Sequence, residues 1–316
     1  MARYLDPKND LTFKRIFGEH EHLCMSLLNS LLPLEDKITS IKYETGELIP
    51  EIPALKDSIV DVRCTDTTGR QFIVEMQMAW TKSFTTRVLL NASKAYVKQL
   101  DKSKDYELLQ PVYSLNLVNT VFEPAQPEYY HHYKIVNIHN TEKQIKGLEF
   151  VFVELPKFTP ASLSEKKLQV LWLRFLTEIE DGTEEISDDL KEAQDIREAL
   201  DYVERNAYTK AQLITYDRFR DAIMTQRTIV KDSEAKGEAR GEARGEARGE
   251  ARGEARGEAR GLQKGMAIGK QEGLQEGEQK KALAIAAALL KKGMSPQEVA
   301  DIAGLPLTEV GELIQK

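Results

Sequence analysis

Asp57-Ser58-Ile59-Val60-Asp61-Val62-Arg63-Cys64, then Thr65-Asp66-Thr67-Thr68-Gly69-Arg70, then Gln71-Phe72-Ile73-Val74-Glu75-Met76-Gln77-Met78, is the stretch on which the fold turns. Two runs rich in β-branched and apolar residues flank a polar turn with one glycine, and this pattern predicts a β-hairpin. Side chains alternate across a strand, so Phe72, Val74 and Met76 share one face, and Ile73, Glu75 and Gln77 share the other. If the hairpin closes with Cys64 opposite Phe72, the antiparallel register sets Asp61 opposite Glu75. Like charges facing each other across a ladder repel. A divalent cation would convert that repulsion into coordination, and hard oxygen donors suit Mg²⁺, which is usually held by one or two carboxylates plus waters and substrate phosphates. Taken alone, the hairpin also fits two ordinary solvated acids on the outer face of a half-exposed sheet. The apolar density of both runs argues for strands covered on both faces.

Working outward, Asp10 is placed to cap a helix running through Leu31, with Leu11, Phe13, Ile16, Phe17, Leu23, Leu27 and Leu28 near helical spacing. Ile38 to Ile49 reads as a strand. Beyond the hairpin, Val88, Leu89, Ala92, Ala95 and Tyr96 mark one side of a helix from about Thr85 to Leu100. Strands are expected at Val112 to Val118 and Phe150 to Leu155, with a hairpin-like insert from about Tyr130 to Glu149. From Pro160 the pattern turns helical through Trp172, Phe175 and Leu176 to Ala222. This order predicts an α/β fold, a mixed β-sheet core flanked by helices.

From Gly237 to Arg260 the sequence is Gly-Glu-Ala-Arg six times over, and glycine continues at every fourth position to Gly277, so that 11 of the 19 glycines lie on one comb. On a helix the glycines trace a slowly winding stripe with glutamates on one flank and arginines on the other. The i,i+4 neighbours then carry like charges, and each glycine costs about 1 kcal/mol relative to alanine. The comb fits either a solvated polyampholyte linker or a helix that pairs with helices of other chains, glutamate against arginine. Lys280 to Lys292 reads as a helix closed by Gly293. Ser295-Pro296-Gln297-Glu298 has the form of a capping box opening a second helix that ends at Gly304, and Leu307 to Gln315 gives a third. The spacing is that of a helix-turn-helix. The last helix carries Glu309 and Glu312, a poor face for phosphate, so packing or oligomerisation ranks ahead of DNA reading for this unit.

Hydrophobic residues make up 41% of the 316 and charged residues 30%, enough for a real core under a heavily charged surface. The longest apolar run, Ala282 to Leu290, is nine residues, against about 20 needed to cross a bilayer. No signal core opens the chain, and Cys24 and Cys64 cannot build a disulfide framework, so a cytoplasmic protein is expected. Residues 237–316 carry 13 basic and 13 acidic groups, which leaves the formal charge of −7 to residues 1–236. An acidic body is not an electrostatic footprint for nucleic acid, so DNA binding would need a local basic groove.

Asp61 followed fourteen positions later by Glu75-Met76-Gln77 resembles the Asp…(Asp/Glu)-x-Lys signature of the restriction-endonuclease-like, or PD-(D/E)XK, nucleases. The surroundings narrow the likeness: Asp10-Leu11-Thr12-Phe13-Lys14-Arg15-Ile16-Phe17-Gly18, Asp61-Val62-Arg63, Val74-Glu75-Met76-Gln77, Arg87, Tyr96 with Gln99, Pro111-Val112-Tyr113-Ser114-Leu115 and Glu154-Leu155-Pro156-Lys157-Phe158. As an ordered set over residues 3–230 they resemble the Rpn family of recombination-promoting nucleases and transposases. The resemblance implies a restriction-endonuclease-like domain over residues 1–230, and the comb and the capping signals divide the rest into a repeat linker or helix at 231–279 and a helix-turn-helix-like helical module at 280–316.

It also implies Mg²⁺-dependent cleavage of DNA phosphodiesters linked to recombination or mobile elements, with Mn²⁺ or Ca²⁺ as substitutes. Asp61 and Glu75, with the Met76 backbone carbonyl, would hold the metal. Gln77 takes the place of the wider superfamily's lysine. An amide can orient a water but brings no positive charge and is neither acid nor base. Tyr96 and Gln99 either face the site or pack the helix, and Arg87 and Lys14 either contact phosphate or form surface ion pairs. His131, His132 and His139 read as structural or exposed. The competing expectation is a catalytically silent relative, the same fold serving as a binding or assembly module, with the helical tail setting a homo-oligomeric state.

Overall fold

The computed structural model describes residues 3–48, 59–99, 105–160 and 167–314. The chain forms two compact units, Met1–Lys231 and Asp232–Lys316. The first opens with α1 (Asp10–Phe17) and α2 (Glu21–Leu31), followed by β1 (Ile41–Tyr43), β2 (Val62–Asp66) and β3 (Gln71–Gln77). Then come α3 (Phe84–Val97), β4 (Val112–Val118), β5 (Tyr130–Asn137), β6 (Asn140–Glu154), α4 (Lys167–Glu178) and α5 (Gln194–Val203).

The six strands form one mixed sheet in the order β1-β2-β3-β4-β6-β5. The hairpin closes in the expected register, Cys64 opposite Phe72 and Val62 opposite Val74. Its ladder stops at Val62, and Asp61 sits in the bend just before β2. The central strands β3, β4 and β6 run parallel, and parallel neighbours require a crossover, which α3 supplies between β3 and β4.

The alternation read from Gln71–Gln77 sorts two cores. Phe72 and Val74 join the main core with Phe13, Phe17, Leu27, Trp172 and Phe175 beneath α1, α2, α4 and α5. Ile73 faces the other way, against Ala92 and Ala95 of α3. Helices therefore cover both faces, and Glu75, on the α3 side of β3, is only 6% exposed. Across the main core the Phe17 and Trp172 rings lie 5.3 Å apart.

Several element boundaries differ from expectation. The helix expected through Leu31 is two helices, broken after Phe17, and its cap is Asn9, whose side chain accepts from the Leu11 N–H. At the break the Gly18 N–H donates to Lys14 O, and a Cβ at Gly18 would lie 2.7 Å from that oxygen, so a side chain there would collide with the turn it closes. The strand expected at Ile38 to Ile49 is reduced to Ile41–Tyr43 plus a single bridge between Glu47 and Ile59. Ile49, Asp57, Ser58 and Leu100 lie outside the described residues. The strand expected from Phe150 begins at Asn140, because the insert is β5 paired antiparallel with the first half of β6.

The comb is helical throughout, inside α6 (Lys210–Lys291). In the second unit α7 (Pro296–Ala303) opens with a complete capping box between Ser295 and Glu298 and ends on Gly304 at φ 66°. Val299, Ala300, Val310 of α8 (Leu307–Ile314) and Ala286 form its small core. Among the described residues no helix is long and apolar enough to cross a membrane.

Candidate active site

The end of β3 extends past its partner β2, so the β2-side edge of Met76 has no ladder. Asp61 fills the gap with its side chain, Oδ2 accepting from the Met76 N–H at 2.8 Å. This hydrogen bond ties Asp61 to the strand that carries Glu75. One residue earlier on the opposite face, Glu75 Oε1 accepts from Asn91 Nδ2 of α3 at 3.2 Å.

The α3 helix is in register with β3. Arg87 and Asn91, four residues apart, meet Gln77 and Glu75, two residues apart, because four helical residues rise about 6 Å and two strand residues about 6.8 Å. Arg87 Nη2 donates to Gln77 Oε1 at 2.7 Å.

Burial sets the electrostatics. Removal from water is the main cause that pushes the Glu75 carboxyl up to about 8, and the charge of Asp61 adds to it. Arg87, Asn91 and Lys14 oppose that rise without cancelling it. Asp61 is raised for the same first reason, against its hydrogen bond from Met76 and the charges of Lys14 and Arg87. Lys14, on α1, pairs with Asp10 at 2.7 Å. Burial works most strongly against the Lys14 charge, but the hydrogen bond and charge of Asp10 together with the charges of Asp61 and Glu75 outweigh it, so its pKa lies above the ordinary value. Two neighbouring acids, both destabilised as anions, thus lie within the field of two cations from different helices.

The family model for PD-(D/E)XK nuclease family transposases matches residues 7–232. The chain belongs to that family. No curated protein and no solved structure matches it.

In this member of the family the structure gathers Asp61, Glu75, Met76 and Gln77 at one end of β3, with Arg87 and Lys14 in electrostatic reach. Tyr96 and Gln99 are not brought there. The Gln99 amide clamps the Gln110 backbone, donating to its carbonyl at 2.9 Å and accepting from its N–H at 2.8 Å. Tyr96 lies over Gly147, where a Cβ would meet its ring at 3.4 Å. Both stabilise the opposite end of the α3 crossover. Gln77 also differs from expectation: its Oε1 takes Arg87 and its Nε2 donates to the Ala79 carbonyl, so both ends of the amide intended for a water are already held. His131 and His132 pair with Glu154 and Glu149, as structural residues do.

Asn91 is the residue that sequence reasoning missed. It is 1% exposed, and its Oδ1 is buried with no hydrogen-bond partner. A signal was present, since Asn91 interrupts the stripe Val88, Ala92, Ala95 that buries α3. Leu89, assigned to that stripe, is 50% exposed instead, so the buried face is rotated onto Asn91.

The donor set suits a hard cation. Among the described residues no group of three or more His, Cys, Asp or Glu could hold a metal, which argues against a closed all-protein cage of the zinc type. Two carboxylates with open coordination positions are what Mg²⁺ ordinarily uses, since it keeps several waters. The repulsion that raises Glu75 is what a divalent charge would remove.

Proposed function

We propose that the protein is a divalent-metal-dependent DNA endonuclease, hydrolysing phosphodiester bonds at the β3 end. The observation that carries this reading is the convergence of half-buried Asp61 and buried Glu75, two acids of raised pKa, one tied to the strand of the other through Met76. Bound there, Mg²⁺ or Mn²⁺ would acidify water and screen charge on the phosphate. Asp61 and Glu75 would hold it. The Met76 carbonyl is a third candidate, because a strand residue turns its N–H and C=O to the same edge, and the Met76 N–H meets Asp61. Asn91 fixes the orientation of Glu75, and Lys14 and Arg87 offset the acidic body where DNA must approach.

Titration calorimetry of the folded protein with Mg²⁺ and Mn²⁺ tests this directly. Uptake of about one ion with release of protons near pH 7 is expected, because Glu75 must lose its proton to become a ligand. No heat of binding with either ion, with or without duplex DNA, would leave the silent scaffold ahead.

The second unit supports a further proposal, self-association through the comb, with residues 1–230 as nuclease domain, 231–279 as connector and 280–316 as helical module. A Cβ at any glycine from Gly237 to Gly277 would meet nothing within 4 Å, so packing within the chain gives no reason for these residues. Among the described residues no ion pair forms inside the repeat, the nearest being Lys280 with Glu276 at 3.6 Å. A second copy supplies both reasons at once. Viewed down the helix, glutamate and arginine flank the glycine stripe on opposite sides. Parallel copies bring each glutamate flank to an arginine flank, whereas antiparallel copies set like charges together. Deleting residues 237–316 is expected to lower the number of chains per particle, the mass in solution by light scattering divided by the mass of one chain. An unchanged number of chains per particle would leave the comb as a tether.

A further inference from the structure

Gln77 occupies a strand position beside the two carboxylates, yet it carries no charge, and both ends of its amide are engaged. What it holds is Arg87. The guanidinium takes the Gln77 oxygen at 2.7 Å and lies over the Phe84 ring, 5.0 Å from its centroid. These two contacts come from different elements, β3 and the first turn of α3, and together they fix a long side chain that would otherwise sample many rotamers.

The side chain is exposed, and among the described residues it has no carboxylate partner within 4 Å. The other nearby cation, Lys14, is paired with Asp10. Arg87 nevertheless acts electrostatically on both Asp61 and Glu75. A surface arginine in an acidic body would ordinarily find an acid. This one is held in place by a neutral amide and a ring, contacts that bring no opposite charge to it.

We infer that Arg87 is the cationic residue that contacts the substrate phosphate in this site, and that Gln77 acts through it as its positioning residue. The inference rests on the nuclease reading for its catalytic part. Its binding part, an arginine presented to a DNA phosphate, stands apart from cleavage. Guanidinium is suited to the task, since its planar fork can spend one N–H on Gln77 and still offer others to phosphate oxygens.

The test measures two things on the full-length protein with wild type, Arg87→Ala, Gln77→Ala and Arg87→Ala/Gln77→Lys. The first is affinity for a short DNA duplex in chelator as a function of salt. Loss of one phosphate contact is expected to reduce the slope of log K against log salt by about 0.9 in Arg87→Ala, with a smaller reduction in Gln77→Ala. The second is nicking of supercoiled plasmid with Mg²⁺. Arg87→Ala is expected to lower kcat by roughly 10²-fold, as for a single electrostatic donor to the transition state. Gln77→Lys in the same chain is expected to restore a substantial part by returning a charge to the strand.

A salt slope for Arg87→Ala equal to that of wild type overturns the inference. So does a Gln77→Ala slope and kcat both equal to wild type, for the positioning role, and so does a double variant no better than Arg87→Ala. If wild type itself fails to nick while the slope still falls in Arg87→Ala, the nuclease reading is lost and the phosphate contact stands. Arg87 is exposed, so its alanine variant should fold, and an unchanged melting curve verifies it.

Discussion

Asp61→Asn and Glu75→Gln are each expected to lower plasmid nicking in Mg²⁺ by about three orders of magnitude or more, roughly 4 kcal/mol of transition-state stabilisation. The isosteric amides make the sharper experiment. Asp61 has a structural duty, because its Oδ2 caps the Met76 N–H at the unpaired edge of β3. Alanine would remove that acceptor and expose an unsatisfied donor, whereas asparagine keeps an oxygen for it and removes only the charge. The amide introduced by Glu75→Gln likewise keeps an oxygen for Asn91. If the acids serve only to order the strand end, the amide variants should nick as wild type does. Equal activity in wild type, both amides and both alanine variants would assign the cleavage to a contaminant. The two losses should not add, since the acids act through one ion and either absence vacates the site. Calorimetry on the same variants should show cation uptake lost in parallel.

The sheet was legible because period-two alternation in Gln71–Gln77 is strong, but the expected pairing of Asp61 opposite Glu75 is not made: the ladder ends at Val62, and Asp61 reaches β3 through its side chain at Met76. The register followed once Cys64 was set opposite Phe72. What sequence could not supply was the docking of α3. Its apolar stripe is short of large residues, so a rotation that exchanges Leu89 for Asn91 costs little in pattern but places a polar residue against Glu75. The role of Gln99 was hidden for a related reason: its partner is the backbone of Gln110, and main-chain atoms leave no trace in residue identity. The partition of α1 from α2 turned on one close approach at Gly18, invisible in helical spacing that continues across the break. The comb was ambiguous because its helix gains nothing from side chains of its own chain, so local patterning could not choose between helix and coil.

In chelator the Glu75→Gln protein is expected to be more stable than wild type at pH 8, and the difference should vanish near pH 4. Glu75 is raised in the folded protein from its ordinary 4.5 to about 8. Between those values the folded state keeps a proton that the unfolded chain has released. Stability therefore falls as pH rises through the window, since it rises with pH only where the unfolded state binds more protons. Below about 4.5 both states are protonated and no penalty is present. Above about 8 the full penalty applies, on the order of 3–5 kcal/mol at about 1.4 kcal/mol per unit. Glutamine cannot ionise and escapes it. Trp80 and Trp172 are the only tryptophans, and both lie in the unit Met1–Lys231, so urea unfolding followed by tryptophan fluorescence reports on the sheet without the helical tail. Asp61→Asn should recover part of the same stability, because the charge of Asp61 is the second cause of the rise. Mg²⁺ should stabilise wild type at pH 8 and leave Glu75→Gln nearly unmoved, since a bound cation favours the anion that burial disfavours. Parallel pH curves for wild type and Glu75→Gln would mean that the carboxyl is solvated in solution, and the buried acid on which the cation site depends would be lost.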